Sequence, residues 1–457
     1  MKSLHHLMQH EMVEAAARQP GQQTSGSGVF TVLSGASMAI ANYILYSVAM
    51  VVLARHVFDT HTFGDFSAAV AAVTVAATAG TLGLEKYLLK FIPACRVRGD
   101  LKLVRGFRRF APGAVFAVSL IVGSVLLAIW ALSEPGSALH HPSFLAAIAA
   151  LPIVVLGSYF LEVTTADGAY IAGTVIYRIV FPGLILAGIF VIDWLYSPIV
   201  ALHAVIMWGV CWAIVLVLLM IVAAFTVPRV ERKGDRSFQR VAWMRHSTAF
   251  LTYSLLLSLM ANTGVLVLGF ISSDKEKTAI YAAVAQLGAL FVVISTAINR
   301  WYGPQISSFI EAKDADRGQR LIRSRRWIMW GIALFYVLFI VFFGKQALSL
   351  FGADYVAGHT ALMIIGVSTV ISSVNSIAPI YIQYTGREWS VPVMLLIAVV
   401  LSFGFTIPGA SIWGLEGAAG GYALASGLLF ISFHLYARHI RRRQLRAIGR
   451  SDLSPII

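Results

Sequence analysis

The stretch from Ile199 to Val227 reads IVALHAVIMWGVCWAIVLVLLMIVAAFTV, and PRVERKGDRSFQRVAWMRH follows it from Pro228 to His246. The first holds no Asp, Glu, Lys or Arg; the second carries Arg229, Arg232, Lys233, Arg236, Arg240 and Arg245. As a helix the first is about 43 Å long, more than the roughly 30 Å of a bilayer's hydrocarbon core. A helix is what such a run must form in lipid, which offers backbone amides no partners. The second belongs among headgroups and water.

The same alternation extends in both directions. The chain of 457 residues is 58% hydrophobic and 12% charged, with a mean hydropathy of +0.79. A soluble protein of this length needs far more charge on its surface. Six spans are predicted before the long polar connection, at 29–54, 66–90, 110–132, 144–166, 174–193 and 199–227. Six follow it, at 248–271, 279–303, 327–344, 360–384, 390–408 and 414–436. The expected organisation is a polar tail over 1–28, a six-helix bundle over 29–227 and a basic linker over 228–247. A second six-helix bundle over 248–436 and a basic tail over 437–457 complete it. Cys95 and Cys211 make no CxxC and read as inert thiols. The first residues lack an apolar signal segment, and His5, His6 and His10 read as a solvated tail rather than a metal site.

Lys and Arg orient the spans. Twenty-eight fall on one side, in the tails, in the 2–3, 6–7, 8–9 and 10–11 connections and at Arg178 near the start of span 5. The alternate connections hold Arg55, Lys275, Lys277 and Lys345. This split predicts an even number of spans with both termini in the cytoplasm. It also accounts for the net charge of +14 by topology and attraction to anionic membrane lipids, with no call on nucleic acid.

The halves repeat each other. Phe66-Ser67-Ala68-Ala69-Val70 and Tyr281-Ala282-Ala283-Val284 open spans 2 and 8. Glu85-Lys86-Tyr87 aligns with Arg300-Trp301-Tyr302, and Arg108-Arg109 with Arg325-Arg326. Arg178 precedes Pro182 by four residues as Glu388 precedes Pro392. Six spans per repeat make the repeat parallel. The fold class is therefore all-α: a polytopic membrane protein of about twelve transmembrane helices, in two six-helix bundles around a central cavity, a geometry suited to alternating access.

Several stretches resemble the polysaccharide-unit flippases of the multidrug/oligosaccharidyl-lipid/polysaccharide exporter superfamily. They are Leu53-Ala54-Arg55-His56-Val57-Phe58 with Phe63-Gly64-Asp65-Phe66-Ser67, and Gly83-Leu84-Glu85 with Phe91-Ile92-Pro93. Ala279 to Ala289 with Pro304-Gln305-Ile306-Ser307, Leu350 to Tyr355, Tyr384-Thr385-Gly386-Arg387 and Gly414 to Ala419 follow in order. Asn262 departs from the pattern, standing near where many relatives carry an acidic residue. The resemblance implies movement of a polyprenyl-diphosphate-linked oligosaccharide from the inner to the outer leaflet of a bacterial inner membrane. Polysaccharide polymerase and glycosyltransferases are the implied partners.

Ionisable residues within spans are functional candidates. Lys86 is a candidate for the cavity, with structural pairing or snorkelling as the alternatives; Lys90 reads as a snorkelling anchor. Arg300 stands where the repeat places Glu85, and is expected to pair with Glu85, to bind phosphate or to anchor at the interface. Glu162 is the candidate ion-coupling site. Arg178 is a weaker substrate candidate and is expected to pair with Asp167. Asp59 or Asp65 is expected to neutralise Arg55. Asn42, Asn262, Asn299, Asn375 and Gln383 read as interhelical hydrogen-bonding groups or sugar contacts.

Motifs of nucleotide, zinc-protease and serine-hydrolase chemistry (GxxxxGK[ST], HExxH, GxSxG) do not occur. The reading is a transporter without cofactor or metal, not an enzyme. The alternatives are a cation-coupled drug or metabolite exporter of the same superfamily, a lipid II flippase with two further spans, and a membrane glycosyltransferase or polymerase.

Overall fold

The structure is a computed structural model describing residues 25–57, 59–134, 140–195, 200–232, 234–271, 274–311, 315–385 and 389–447. His5, His6, His10, Arg387 and Glu388 lie outside the described residues. Among those described every regular element is helical.

Span 1 is Ser25–Val52, closed by a π turn at Leu53–Val57. Span 2 is expected as one helix over 66–90 but is two pieces, Thr60–Gly80 and Leu84–Arg98. Leu82 and Gly83 between them are left-handed, at φ 56° and 68°. Asp59 caps the first piece by accepting the Thr62 N–H at 2.9 Å. Leu101–Leu132 is span 3, Pro142–Ala166 span 4 and Ala201–Thr226 span 6. Span 5 runs from Tyr170 to Leu195 and contains a π turn at Ile176–Val180. Span 7 is Arg240–Leu266 with a π turn at Val267–Ile271. Lys275–Glu311 is span 8 and Ala315–Ser349 span 9. Span 10 is also interrupted, into His359–Asn375 and Ile377–Tyr384.

Eleven helices are long and apolar enough to cross a membrane, and the last of them folds back on itself. Within Ser390–Ala447, Gly414 has φ 60° and ψ −127°, a backbone that only glycine adopts without strain. A Cβ on Gly409 would lie 2.4 Å from the Gly417 carbonyl oxygen, and Ser390 Oγ meets Tyr436 Oη at 3.4 Å. Residues 390–413 and 415–447 are thus antiparallel partners, spans 11 and 12, and the described chain makes twelve crossings.

The parallel repeat is visible in detail. The π turns that end spans 1 and 7 are 214 residues apart (53 to 267). The starts of spans 2 and 8 are 215 apart (60 to 275), and the ends of spans 3 and 9 are 217 apart (132 to 349). Span 1 packs on span 8, span 7 packs on span 2, and spans 2 and 8 pack on each other. The first two contacts exchange under the repeat, as two bundles related by a twofold axis require.

Large apolar side chains turned outward, among them Leu132, Trp194, Phe225, Trp327, Phe335 and Trp413, form the surface offered to lipid. One apolar core runs through the first bundle, across its contact with the second and on into spans 9, 10 and 12; a separate cluster joins spans 7 to 12.

Candidate functional site

The break at Leu82–Gly83 sets the site. It starts a new helix at Leu84, whose first turn carries Glu85 and Lys86. Leu82 holds a conformation uncommon for a side chain with a Cβ, a local strain borne by the surrounding packing. Gly83 is pressed on span 7: a Cβ there would lie 2.4 Å from the Leu251 nitrogen. Four residues on, Tyr87 stacks on His246 with ring centroids 6.1 Å apart. That face of span 2 is therefore the contact with the second bundle.

Lys86 turns from that contact to span 4 and forms an ion pair with Glu162. Two residues with separate readings in the sequence are thus one unit. The ammonium side chain is 44% exposed and the carboxylate 17%. Beneath them Glu85 is 6% exposed, and its Oε2 has no hydrogen-bond partner. Tyr177, stacked against Phe181 and tilted onto Trp212, lies within electrostatic reach of Lys86 and Arg178. Arg178 sits on the π turn of span 5, where its carbonyl accepts the Asn42 side-chain N–H at 3.1 Å. Arg300 lies on span 8 with its side chain outside those described.

Asp167, expected beside Arg178, belongs to a network the sequence did not reveal. Asp167, with no exposed side-chain surface, binds Arg96 at 2.7 Å and Arg108. Glu231, from the 6–7 linker, binds Arg96 at 2.6 Å and Arg108 at 2.8 Å. Burial alone would raise the Glu231 carboxyl, but the Arg96 and Arg108 guanidinium groups hold it below the ordinary carboxylate range. The two arginines come from spans 2 and 3. The network ties the linker to the first bundle, aided by Trp243, which meets Phe107 edge-on at 5.3 Å.

At the opposite ends of the spans the bundles meet directly. Asp65 binds Lys275 at 2.8 Å, and Thr60 donates to Asp354 at 3.3 Å. Phe63 meets Tyr355 edge-on at 6.1 Å. His141 Nε2 stands 3.3 Å from Asp65. Burial, with help from Lys275, lowers the His141 imidazole against the pull of Asp65. Asp65 and Asp59 are thus engaged with Lys275 and the Thr62 amide, and the expected neutralisation of Arg55 by either is corrected. Between the two ends, Tyr43 on span 1 donates to the Gln286 carbonyl of span 8 at 2.8 Å, and Gln286 donates to Ser47 at 3.0 Å. Of the asparagines, Asn262 and Asn375 bond carbonyls of their own helices. Asn299 donates to Ser376 at 2.8 Å and accepts from Arg325 at 3.0 Å, an interhelical role. Both free cysteines are buried.

No family model matches the chain, and no curated protein matches it in sequence. Solved structures do match its fold. The inward-facing conformation of a multidrug resistance MATE family transporter of the MOP superfamily superposes with a TM-score of 0.65 at 16% identity, over 90% of this chain and 95% of that one. The outward-facing conformation of a transporter so described gives 0.57 at 14%, over 91% and 96%. A MOP superfamily transporter from Pyrococcus furiosus, for which reversed polarity of the binding pocket suggests a different function, gives 0.61 at 15%, over 90% and 96%. The chain has the two-bundle helical fold of these multi-pass membrane proteins.

Proposed function

We propose that the chain is an alternating-access transporter that carries a polyprenyl-diphosphate-linked oligosaccharide from the inner to the outer leaflet for cell-surface or exopolysaccharide synthesis. The observation that carries this reading is the polarity of the charged pair. Its cation, Lys86, is the exposed member, while Glu162 is mostly covered and Glu85 lies beneath. A half-exposed ammonium within a span is costly against lipid, so in this reading its open side, turned from the contact with span 7, looks into the gap entered from the cytoplasm. There it meets an anion better than a cation.

In this reading the membrane is the bacterial inner membrane, with both termini and the Arg96–Glu231 face in the cytoplasm. The closure at Asp65–Lys275 then lies on the outer side, and the gap is entered from the cytoplasm. The substrate diphosphate exchanges with Glu162 for Lys86, which limits the desolvation of bare charge. Glu162, once released, is the group that takes up a proton or cation. Arg300 and, more weakly, Arg178 add to the positive potential, which low-dielectric walls focus. Polymerase and glycosyltransferases that consume and supply the substrate are the partners.

The second reading, a cation-coupled drug exporter, draws on the fold likeness to multidrug transporters and needs a carboxylate as the group offered to substrate. Reconstituted vesicles separate the two. The protein is expected to flip a fluorescent polyprenyl-diphosphate oligosaccharide and to leave a cationic dye untransported. K86Q is expected to slow flipping about tenfold, a change of about 1.4 kcal/mol in barrier. Dye movement without lipid flipping establishes the exporter. Wild-type flipping by K86Q, R300Q and the double variant makes both residues interfacial anchors and places the site elsewhere.

A further inference from the structure

Buried guanidinium groups need counter-charges or a full set of acceptors. In the first bundle Arg96 and Arg108 face two carboxylates. The second bundle is built differently at its basic end. Arg325, the repeat partner of Arg108, is 2% exposed and is held by neutral acceptors alone. It donates to Asn299 Oδ1 at 3.0 Å, the Val374 carbonyl at 2.9 Å, the Ser373 carbonyl at 3.2 Å and Ser376 Oγ at 2.9 Å. These bonds fasten span 9 to the break in span 10 and satisfy the side chain, but leave its charge unbalanced.

More positive charge gathers beside it. Arg326 follows on span 9, and span 12 contributes His434, Arg438 and Arg441. Arg326 lies within electrostatic reach of Arg325, Arg438, Arg441 and His434. Arg325, Arg326 and His434 line a narrow cleft together with Ile322 and Asn375. Arg441 is only 6% exposed, and its Nη1 has no hydrogen-bond partner; neither has the buried Nε of Arg438. Among the described residues no carboxylate forms an ion pair with any of the four arginines.

We infer that this cluster, formed by spans 9, 10 and 12, is a binding site for a phosphate-bearing anion, separate from the Lys86–Glu162 pair. Open guanidinium donors on two side chains call for one acceptor with several oxygens, and phosphate takes such donors in pairs. The site lies at the basic ends of the spans, where headgroup phosphates are abundant. An anion there supplies the counter-charge that Asp167 and Glu231 supply in the first bundle. The phosphate comes from an anionic lipid headgroup or from a soluble diphosphate, and the inference holds whatever the transported substrate is.

The test uses the full chain in nanodiscs. Inorganic pyrophosphate is added to discs of phosphatidylcholine, and in a second arm phosphatidylglycerol replaces part of the phosphatidylcholine. At least one arm is expected to raise the melting temperature saturably. Apparent affinity is expected to fall at least tenfold in R438Q/R441Q and to be kept in R442Q/R443Q, which changes exposed neighbours. A response to pyrophosphate identifies a soluble-phosphate site; a response to phosphatidylglycerol alone identifies a headgroup site. R438Q alone, at the less buried position, gives the same reading if the double variant does not fold. No response in either arm, or a response that R438Q leaves unchanged, overturns the inference.

Discussion

Glu231 shows what a single side chain contributes. It reaches from the linker to two arginines of the first bundle, with its own side chain 2% exposed. Removing one member of a buried pair costs about 3 kcal/mol, because the remaining charges lose their partner. E231Q is expected to lower the melting temperature in detergent at pH 7. Its carboxyl is held below its unfolded value, so the stability it gives is full above the unfolded pKa of about 4.3 and is lost as pH falls through the folded value. The gap between wild type and E231Q is therefore expected to narrow below about pH 4; a constant gap from pH 7 to pH 3 contradicts the ionic account. These partnerships were not legible in the sequence. Arg96, Arg108, Asp167 and Glu231 stand in four different segments, and nothing in local spacing says which helix ends meet. Lys86 and Glu162 were each legible as ionisable groups within spans, but their pairing depends on how spans 2 and 4 pack.

At the scale of elements, the apolar runs gave the spans away because length and lack of charge suffice to define them. The breaks show only faintly. Leu82–Gly83 sits inside an apolar run where Gly80 and Gly83 hint at a turn, and at Ser376 the hint is Pro379, which has no N–H to give the Asn375 carbonyl. Both breaks place polar groups: the first presents Glu85 and Lys86, the second offers carbonyls to Arg325. Gly64 decides how closely spans 2 and 8 approach. A Cβ there would lie 2.0 Å from the Lys275 carbonyl oxygen, well inside contact distance. Gly64→Val is therefore expected to part the bundles at that end. In a C95A/C211A background with cysteines at positions 60 and 354, a short thiol crosslinker is expected to join them at least tenfold more slowly when Gly64 is Val. An unchanged rate contradicts the closure described here.

At the scale of the whole molecule, the repeat was legible in Arg108-Arg109 against Arg325-Arg326, and the matching π turns at 53 and 267 give it its structural counterpart. The repeat keeps the helices and their order while the charges diverge: carboxylates balance the basic end of the first bundle, and neutral groups surround Arg325 in the second. Two similar bundles joined mainly through spans 1, 2, 7 and 8 have the geometry for rocking on each other about the apolar contact they share. The proposed dependence of transport on this rocking is tested by locking it. Thr60 belongs to the first bundle and Asp354 to the second, and their side chains are 3.3 Å apart in the closed arrangement. With cysteines at both positions and a reversible disulfide-forming crosslinker, flipping of the diphosphate-linked oligosaccharide in vesicles is expected to stop when they are joined and to resume on reduction. Flipping at an undiminished rate in the joined protein contradicts alternating access between the two bundles.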